Sequence, residues 1–204
     1  DLEAGYLTTL THAEYAQGFV IERKLVDDDQ YSLFMDRPAE LATSAMRTRE
    51  KHAASVFNNA FSSSYPGGDG VALCSNSHPK SPGNSAVQDN SGALSLSYAN
   101  VSATRLLMQA MTNDRGNIIT CNPDTLLVPP ELEETANDIW KTDNKVDTAD
   151  RRANYVATYL RRVIMWPYLT DSNAWFLIDS ARARQALKWI DRVELEFALD
   201  PTSN

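Results

Sequence analysis

Hydrophobic positions in the first third of the chain follow a helical spacing. Between positions 41 and 60 the apolar residues recur at intervals of three, four or multiples of these, with charged residues between them. Asp36 can cap the free backbone amides at the start, and Pro38 is tolerated in the first turn because its missing amide would have no partner there. The pattern predicts one amphipathic helix of roughly 24 residues, about 36 Å long at 1.5 Å per residue.

Other segments carry alternating or β-favouring residues, which are typical of strands. The first 26 residues contain two such runs, at positions 6–10 and 18–26. In the last quarter, residues 155–166 and 174–178 and the strict alternation at 193–197 indicate the same structure. We therefore predict a sheet or hairpin near the N-terminus and a strand-rich C-terminal quarter.

A buried strand and a helix start lie next to each other at residues 124–136. The run Thr125–Val128 offers apolar residues on both alternations, which predicts burial on both faces. Pro129 ends the strand because it cannot donate to a ladder, and Pro130 suits the first turn of a helix. The helix dipole favours the glutamates that follow, which are Glu131, Glu133 and Glu134. The predicted buried stripe consists of Leu132, Thr135, Ala136, Ile139 and Trp140.

A long loop separates the first predicted helix from a second one. Residues 62–92 hold five of the eight glycines, so we predict a loop that covers a site or makes assembly contacts. The second helix is predicted to start at Ser97 as N-cap and to stop at Gly116, which can adopt the left-handed conformation common after helix ends. Helices and strands follow without a regular βαβ order, which indicates an α+β fold.

Composition narrows the class of protein. Of the 204 residues, 43% are hydrophobic and 23% are charged, as in globular proteins. The net charge of -8 argues against a protein that mainly binds nucleic-acid phosphates. No apolar run approaches the roughly 18 residues of a membrane span. We interpret the local basic groups as solvated faces or subunit ion pairs. They are Arg47, Arg49 and Lys51, Arg151 and Arg152, and Arg161 and Arg162.

Motifs of the common catalytic and cofactor chemistries are absent from the sequence. It has no Gly-rich phosphate loop, dinucleotide fingerprint, nucleophile elbow or helical pair of histidines. Cys74 and His78 supply only half of a tetrahedral zinc site. Two cysteines do not make a disulfide framework, and reduced thiols in a cytosolic setting fit better. We predict no catalytic, cofactor-binding or metal-binding residues; the enzyme alternative is a thiol-dependent hydrolase that uses Cys74 or Cys121.

The order of several segments carries a family resemblance. These segments are residues 18–29, 41–50, 73–79, 96–111, 124–140 and 166–178. Together they resemble the strand, spine helix, loop entry, helix and proline turns of Hong Kong 97-type major capsid proteins of tailed bacteriophages, especially the Mu-like head subunits. No single segment is as specific as a catalytic signature, so the joint order is what carries the resemblance.

The resemblance implies a Hong Kong 97-type fold with a long spine helix, a peripheral sheet-plus-helix domain and an axial α/β domain. Residues 1–92 would supply N-terminal strands, spine helix and long loop, residues 93–185 the axial domain, and residues 186–204 a strand returning to the peripheral domain. The chain holds at most part of the family's N-terminal arm and of its two-stranded loop before Gly18, and little of its C-terminal strand, so we expect it to be incomplete at both ends. The loop that bears the lysine in crosslinking members has no counterpart, so no catalytic residue is carried over.

The implied function is that of a structural major capsid subunit, not an enzyme. It would self-assemble into pentamers and hexamers of an icosahedral phage or prophage shell around double-stranded DNA. Implied partners are further copies of the chain and scaffolding, portal or decoration proteins, with only non-specific DNA contacts and no membrane. Assembly would occur in the bacterial host cytoplasm, and the final location would be the virion. Besides the hydrolase, a monomeric head-completion or binding module is an alternative.

Overall fold

The computed structural model describes residues 5–21, 23–28, 36–144 and 153–198. Its helices are α1 (Arg23–Asp28), α2 (Asp36–Asn58), α3 (Tyr98–Gln109), α4 (Glu133–Lys141), α5 (Val156–Tyr159) and α6 (Ser180–Ala186). Its strands are β1 (His78–Pro79), β2 (Val87–Gln88), β3 (Thr125–Val128), β4 (Arg162–Met165) and β5 (Phe176–Ile178). The protein is thus a mixed α+β structure with small sheets, which agrees with the predicted fold class.

The chain divides into two compact units. The first contains Ala54–Lys188 together with the N-terminal residues up to Thr8. The second contains Thr9–Ala53 and the chain from Trp189 onwards. The sheets and both buried clusters belong to the first unit, whereas the described regular structure of the second consists of α1 and most of α2.

A three-stranded mixed sheet has β3 at its centre. β3 pairs in parallel with β4, with Thr125 opposite Arg162. On its other side it pairs antiparallel with β5, with Thr125 opposite Ile178. The strand order is β4-β3-β5, so β3 satisfies its backbone groups on both edges.

Alternate side chains of β3 enter two separate hydrophobic clusters. Leu126 and Val128 are fully buried against residues of α3, α4 and α5. Leu127 enters the other cluster, where it packs with Phe176. Because successive strand residues face opposite sides of a sheet, this arrangement buries both faces of β3. The prediction of a strand buried on both faces is confirmed.

The helix after the two prolines is also confirmed, with one exception in its buried stripe. A short 3-10 turn, Pro130–Leu132, leads directly into α4. Ala136 and Ile139 are buried as predicted, but Thr135 is exposed. At 3.6 residues per turn, Thr135 lies at the margin of a stripe centred on Ala136 and Ile139.

A buried asparagine converts part of a predicted strand into a helix. Asn154 is 6% exposed, and its Oδ1 accepts hydrogen bonds from the backbone N–H groups of Val156 and Ala157 at 3.0 and 3.3 Å. These bonds support the first turn of α5, so the strand begins only at Arg162. The strand prediction for residues 155–166 is therefore wrong at 156–159 and right at 162–165.

The two long predicted helices are present, although the second is shorter than predicted. α2 has 23 residues and starts at Asp36. Ser97 caps α3 as predicted, since its side chain accepts a hydrogen bond from the N–H of Asn100 at 3.2 Å. α3 ends at Gln109, because the Asn113 side chain accepts hydrogen bonds from the backbone N–H groups of residues 115 and 117 and forms a separate turn. Gly116 lies in that turn with a φ of 80° and does not end the helix.

The predicted loop at residues 62–92 is confirmed apart from the two-residue pair of β1 and β2. Its middle is tied to the turn that follows α3. Lys80 Nζ donates to Thr112 Oγ1 at 2.5 Å, and the Gln88 side chain accepts a hydrogen bond from the N–H of Thr112 at 3.0 Å. The loop is therefore anchored to Thr112 through Lys80 and Gln88.

Strand predictions near the two ends are wrong for the described residues. Residues 5–21 and 193–197 form no strand, and the run at 18–26 instead overlaps helix α1. α6, which was not predicted, starts where Asp179 Oδ1 accepts hydrogen bonds from the N–H groups of Ala181 and Arg182. A strand needs a neighbour for its backbone groups, and in the described structure neither terminal segment pairs with one.

Candidate functional site

An open cleft of about 750 Å³ lies at the N-terminal end of β3 in the first unit. It is bordered by the residues that lead into β3, by the end of α5 and by the start of α6. Its charged lining residues are Arg105, Arg161, Arg182, Arg184, Asp124 and Asp179. Four arginines against two aspartates make this a positively charged surface on an acidic chain.

Asp124 joins the entry of β3 to the start of α6. Its Oδ1 accepts hydrogen bonds from Ser180 N and Thr125 Oγ1 at 3.0 and 2.9 Å, and its Oδ2 accepts one from Ser180 Oγ at 2.7 Å. Burial by itself raises the pKa of this carboxyl group, but the hydrogen bonds from Ser180 and Thr125 and the charge of Arg161 outweigh it and hold the pKa below its ordinary value. Asp124 is thus an ionised structural group.

Asp179 and Arg182 also serve the local structure. Asp179 Oδ2 accepts a hydrogen bond from Asn122 N at 2.8 Å, in addition to capping α6. Arg182 donates from Nε and Nη2 to the carbonyl oxygen of Thr120 at 3.0 and 2.8 Å. Both aspartates and one of the four arginines are therefore committed to the wall of the cleft.

The other three arginines leave positive charge available. Arg105 lies over the ring of Tyr159, with its guanidinium carbon 4.2 Å from the ring centroid, which is a cation–π geometry. Arg161 and Arg184 are exposed, and neither guanidinium forms an ion pair or hydrogen bond within the described residues. The cleft can therefore accept an anionic group.

The cysteines are poorly suited to nucleophilic chemistry. Burial raises the pKa of Cys74 to about 11. Burial also raises the pKa of Cys121. The positive charge of Arg182 acts to lower this pKa and the negative charge of Asp179 to raise it, and the net effect is an increase. Both are free thiols, and because the thiolate is the nucleophile, a raised pKa keeps them unreactive near neutral pH. This disfavours the thiol-dependent hydrolase.

His78 has a structural place in the long loop. Its Nδ1 lies 2.6 Å from Asp69 Oδ2, and its Nε2 lies 3.2 Å from the carbonyl oxygen of Leu73. Both ring nitrogens of His78 therefore contact other groups. Among the described residues, no three His, Cys, Asp or Glu side chains are grouped so that they could hold a metal ion, and the Cys74–His78 half-site for zinc gains no further ligand.

No helix in the described ranges is long and apolar enough to cross a membrane.

Comparison with known families gives a match over nearly the whole chain. Residues 6–201 match the family described as phage capsid protein. The chain belongs to the phage capsid protein family. Among curated proteins and among solved structures, no significant match to this sequence was found. The protein is accordingly a structural component of a virion capsid, where capsid proteins assemble with further copies of themselves.

The sequence predicts a phage capsid protein, which the family match confirms, but only part of the cleft. A basic pair in the sequence marks Arg161 together with Arg162, whereas no local pattern marks Arg105, Arg182 or Arg184. These arginines are far apart in sequence and come together only because α3, α5 and α6 meet at one end of β3. No local spacing pattern could have indicated the cleft.

Proposed function

We propose that this capsid protein is a major head subunit of a tailed phage or prophage, with a Hong Kong 97-type fold most like that of the Mu-like head subunits. It assembles into pentamers and hexamers of an icosahedral shell that encloses double-stranded DNA. The observation that carries the proposal is the family match over residues 6–201. The order of elements supports the finer assignment, since a long helix precedes a long loop and a compact mixed α/β unit.

Exposed apolar side chains in the first unit support an assembling subunit. Leu106 and Leu107 of α3 are 63% and 60% exposed, and Ile118 in the following turn is 71% exposed. Isolated exposed apolar residues are ordinary on a protein surface, but exposed apolar groups on neighbouring elements are typical of interaction surfaces. Contacts between copies would remove these side chains from water.

The proposal includes a division of labour along the chain. Residues 1–92 belong to the peripheral domain, with α2 as its spine, residues 93–185 form the axial domain, and residues 186–204 return towards the peripheral domain. α2 is long enough for the spine, because its 23 residues extend over about 35 Å at 1.5 Å per residue. Scaffolding, portal or decoration proteins are further partners, DNA is contacted only non-specifically, and assembly takes place in the host cytoplasm.

The test is the size of the purified protein in solution, measured by light scattering after gel filtration, with negative-stain electron microscopy of the same fractions. We expect rings of five or six copies, or closed shells. A uniform monomer over the whole accessible concentration range would contradict the proposal and favour a head-completion module.

A further inference from the structure

Two surfaces of opposite charge lie at opposite ends of β3. The arginine-lined cleft borders the residues that enter β3, whereas Glu131, Glu133 and Glu134 follow its other end. The first and last Cα atoms of a four-residue strand lie about 10 Å apart at roughly 3.3 Å per residue. The two surfaces therefore face different directions along the sheet, and neither neutralises the other within one copy.

The acidic cluster is exposed and held on a rigid element. All three glutamates are exposed, and none of their carboxylates forms an ion pair or hydrogen bond within the described part of the chain. The two prolines and the 3-10 turn fix the backbone at the point where α4 begins. A favourable interaction with the helix dipole explains why acidic residues are tolerated here, but it leaves their outer oxygens free for a partner.

The cleft is built to receive carboxylates. A guanidinium group presents N–H donors in a fork that matches the two oxygens of a carboxylate, and such pairs are often bidentate. The stacking of Arg105 on Tyr159 restricts its side chain before any partner arrives, which reduces the entropy lost on binding. Arg161 and Arg184 complete a set of three cations that faces the open side.

We infer that this cleft docks the acidic cluster Glu131, Glu133 and Glu134 of a second copy of the chain. The inference rests on the proposed function and names one contact through which the subunits would join. Because the two surfaces on one copy differ, the contact is head-to-tail, and repeated head-to-tail contacts close into rings when the rotation permits. The basic group at Arg161, interpreted from sequence as a solvated face or a subunit ion pair, would then be a subunit ion pair.

Nucleic acid is the less favoured occupant. Asp124 and Asp179 line the same cleft and would repel a continuous row of phosphates. The net charge of -8 also opposes association with DNA, since binding to the phosphate backbone depends on accumulated positive charge. A short acidic segment can contact the arginines and stay away from these aspartates. A long polyanion would have to pass close to them.

Charge reversal tests the contact more sharply than neutralisation, because it replaces attraction by like-charge repulsion. The cleft variant carries Arg161→Glu and Arg184→Glu, and the acidic-cluster variant carries Glu133→Arg and Glu134→Arg. We expect each variant, purified alone, to raise the protein concentration needed for half-maximal assembly at least tenfold, as measured by sedimentation velocity. Lys24→Glu with Arg192→Glu is the matched control for the cleft variant, since it reverses two exposed cations outside the cleft and lowers the net charge by the same amount.

Mixing the variants separates a direct contact from a folding defect. The reversed cleft of one variant fits the reversed cluster of the other, while the remaining pair of surfaces is native. An equimolar mixture should therefore assemble in alternating order, which rings with an even number of copies accept and pentamers do not. The variant with all four reversals should assemble alone. Circular dichroism checks that each variant is folded, and rescue on mixing would itself demonstrate folded partners.

The outcomes distinguish this contact from the function on which it rests. If the native chain assembles and the cleft variant assembles equally well, the inference is overturned and the shell function stands. Loss of assembly without rescue in the mixture or in the fourfold variant overturns it as well. A monomeric native chain, with no association in the mixture, contradicts both. Binding of a labelled DNA duplex that the cleft variant loses, with assembly unchanged, would identify nucleic acid as the occupant instead.

Discussion

The segments at β3 and at residues 193–197 both have strand-like sequences, yet only the first is a strand. Thr125–Val128 lies between two neighbouring strands and all four of its residues are buried. Residues 193–197 alternate strictly between apolar and acidic side chains, but they form no strand, and Val193, Leu195 and Phe197 are exposed. The comparison shows that an apolar pattern states which side chains favour burial, whereas a strand also needs an adjacent backbone.

The same leucine-to-alanine substitution should have very different effects on stability in the two segments. Leu126→Ala should lower the free energy of unfolding by about 3 kcal/mol, because it removes a fully buried side chain and leaves a cavity. Leu195→Ala, at a side chain that is 48% exposed, should change it by less than about 0.5 kcal/mol. Urea denaturation monitored by tryptophan fluorescence measures both. Equal losses would contradict the contrast.

The second prediction concerns Asn154, the buried asparagine that precedes α5. Asn154 Nδ2 donates to the carbonyl oxygens of Ile139 and Thr142 at 2.6 and 2.8 Å, and its Oδ1 accepts two backbone hydrogen bonds. Asn154→Ala should cost about 2 to 3 kcal/mol of unfolding free energy, since buried polar groups lose their partner. Gln185→Ala, at an exposed position, is the control and should be nearly neutral. A neutral Asn154→Ala would show that these bonds are replaced by water.

The third prediction concerns Asp124, whose carboxylate joins the entry of β3 to the start of α6. Asp124→Asn should lower the unfolding free energy by about 1 to 2 kcal/mol at neutral pH, because the hydrogen bonds to an ionised group are weakened. The folded-state pKa lies below the ordinary value of 3.8, so the stabilisation is complete above that value and is lost as the pH falls through the folded-state pKa. The difference between wild type and variant should therefore shrink below about pH 4. Asp138→Asn, at an exposed position on α4, is the control and should change the unfolding free energy at neutral pH by less than about 0.5 kcal/mol.

The smallest predicted effect concerns the exposed apolar side chains at positions 193–197. Replacing Val193, Leu195 and Phe197 together by serine should lower the unfolding free energy of the unassembled chain by less than about 1 kcal/mol, since exposed side chains lose little on truncation. Thermal unfolding of the dilute protein measures this. A loss as large as that of Leu126→Ala would mean that the segment is buried in solution.

Sequence patterns located the elements whose causes are local. Asp36 and Pro38 placed the start of α2, Ser97 placed the start of α3, and the prolines after Val128 placed the end of β3. These signals work because a cap or a proline acts on backbone groups within a few residues of itself. The helical turn at α5 was not predicted, although the Asn154 side chain acts locally on the N–H groups of Val156 and Ala157, because the β-favouring residues at 155–166 indicate a strand.

The mixed fold class, the long helix, the strand buried on both faces and, through the order of its segments, a phage capsid protein follow from the sequence alone. Which apolar runs become strands and which arginines share a cleft depends on the tertiary structure. Strand formation depends on a partner backbone, and the cleft joins residues between 105 and 184 that no local spacing connects. Strand pairing and the clustering of arginines have the same physical reason. Both depend on distances in space, which become fixed only when the hydrophobic clusters on the two faces of β3 pack.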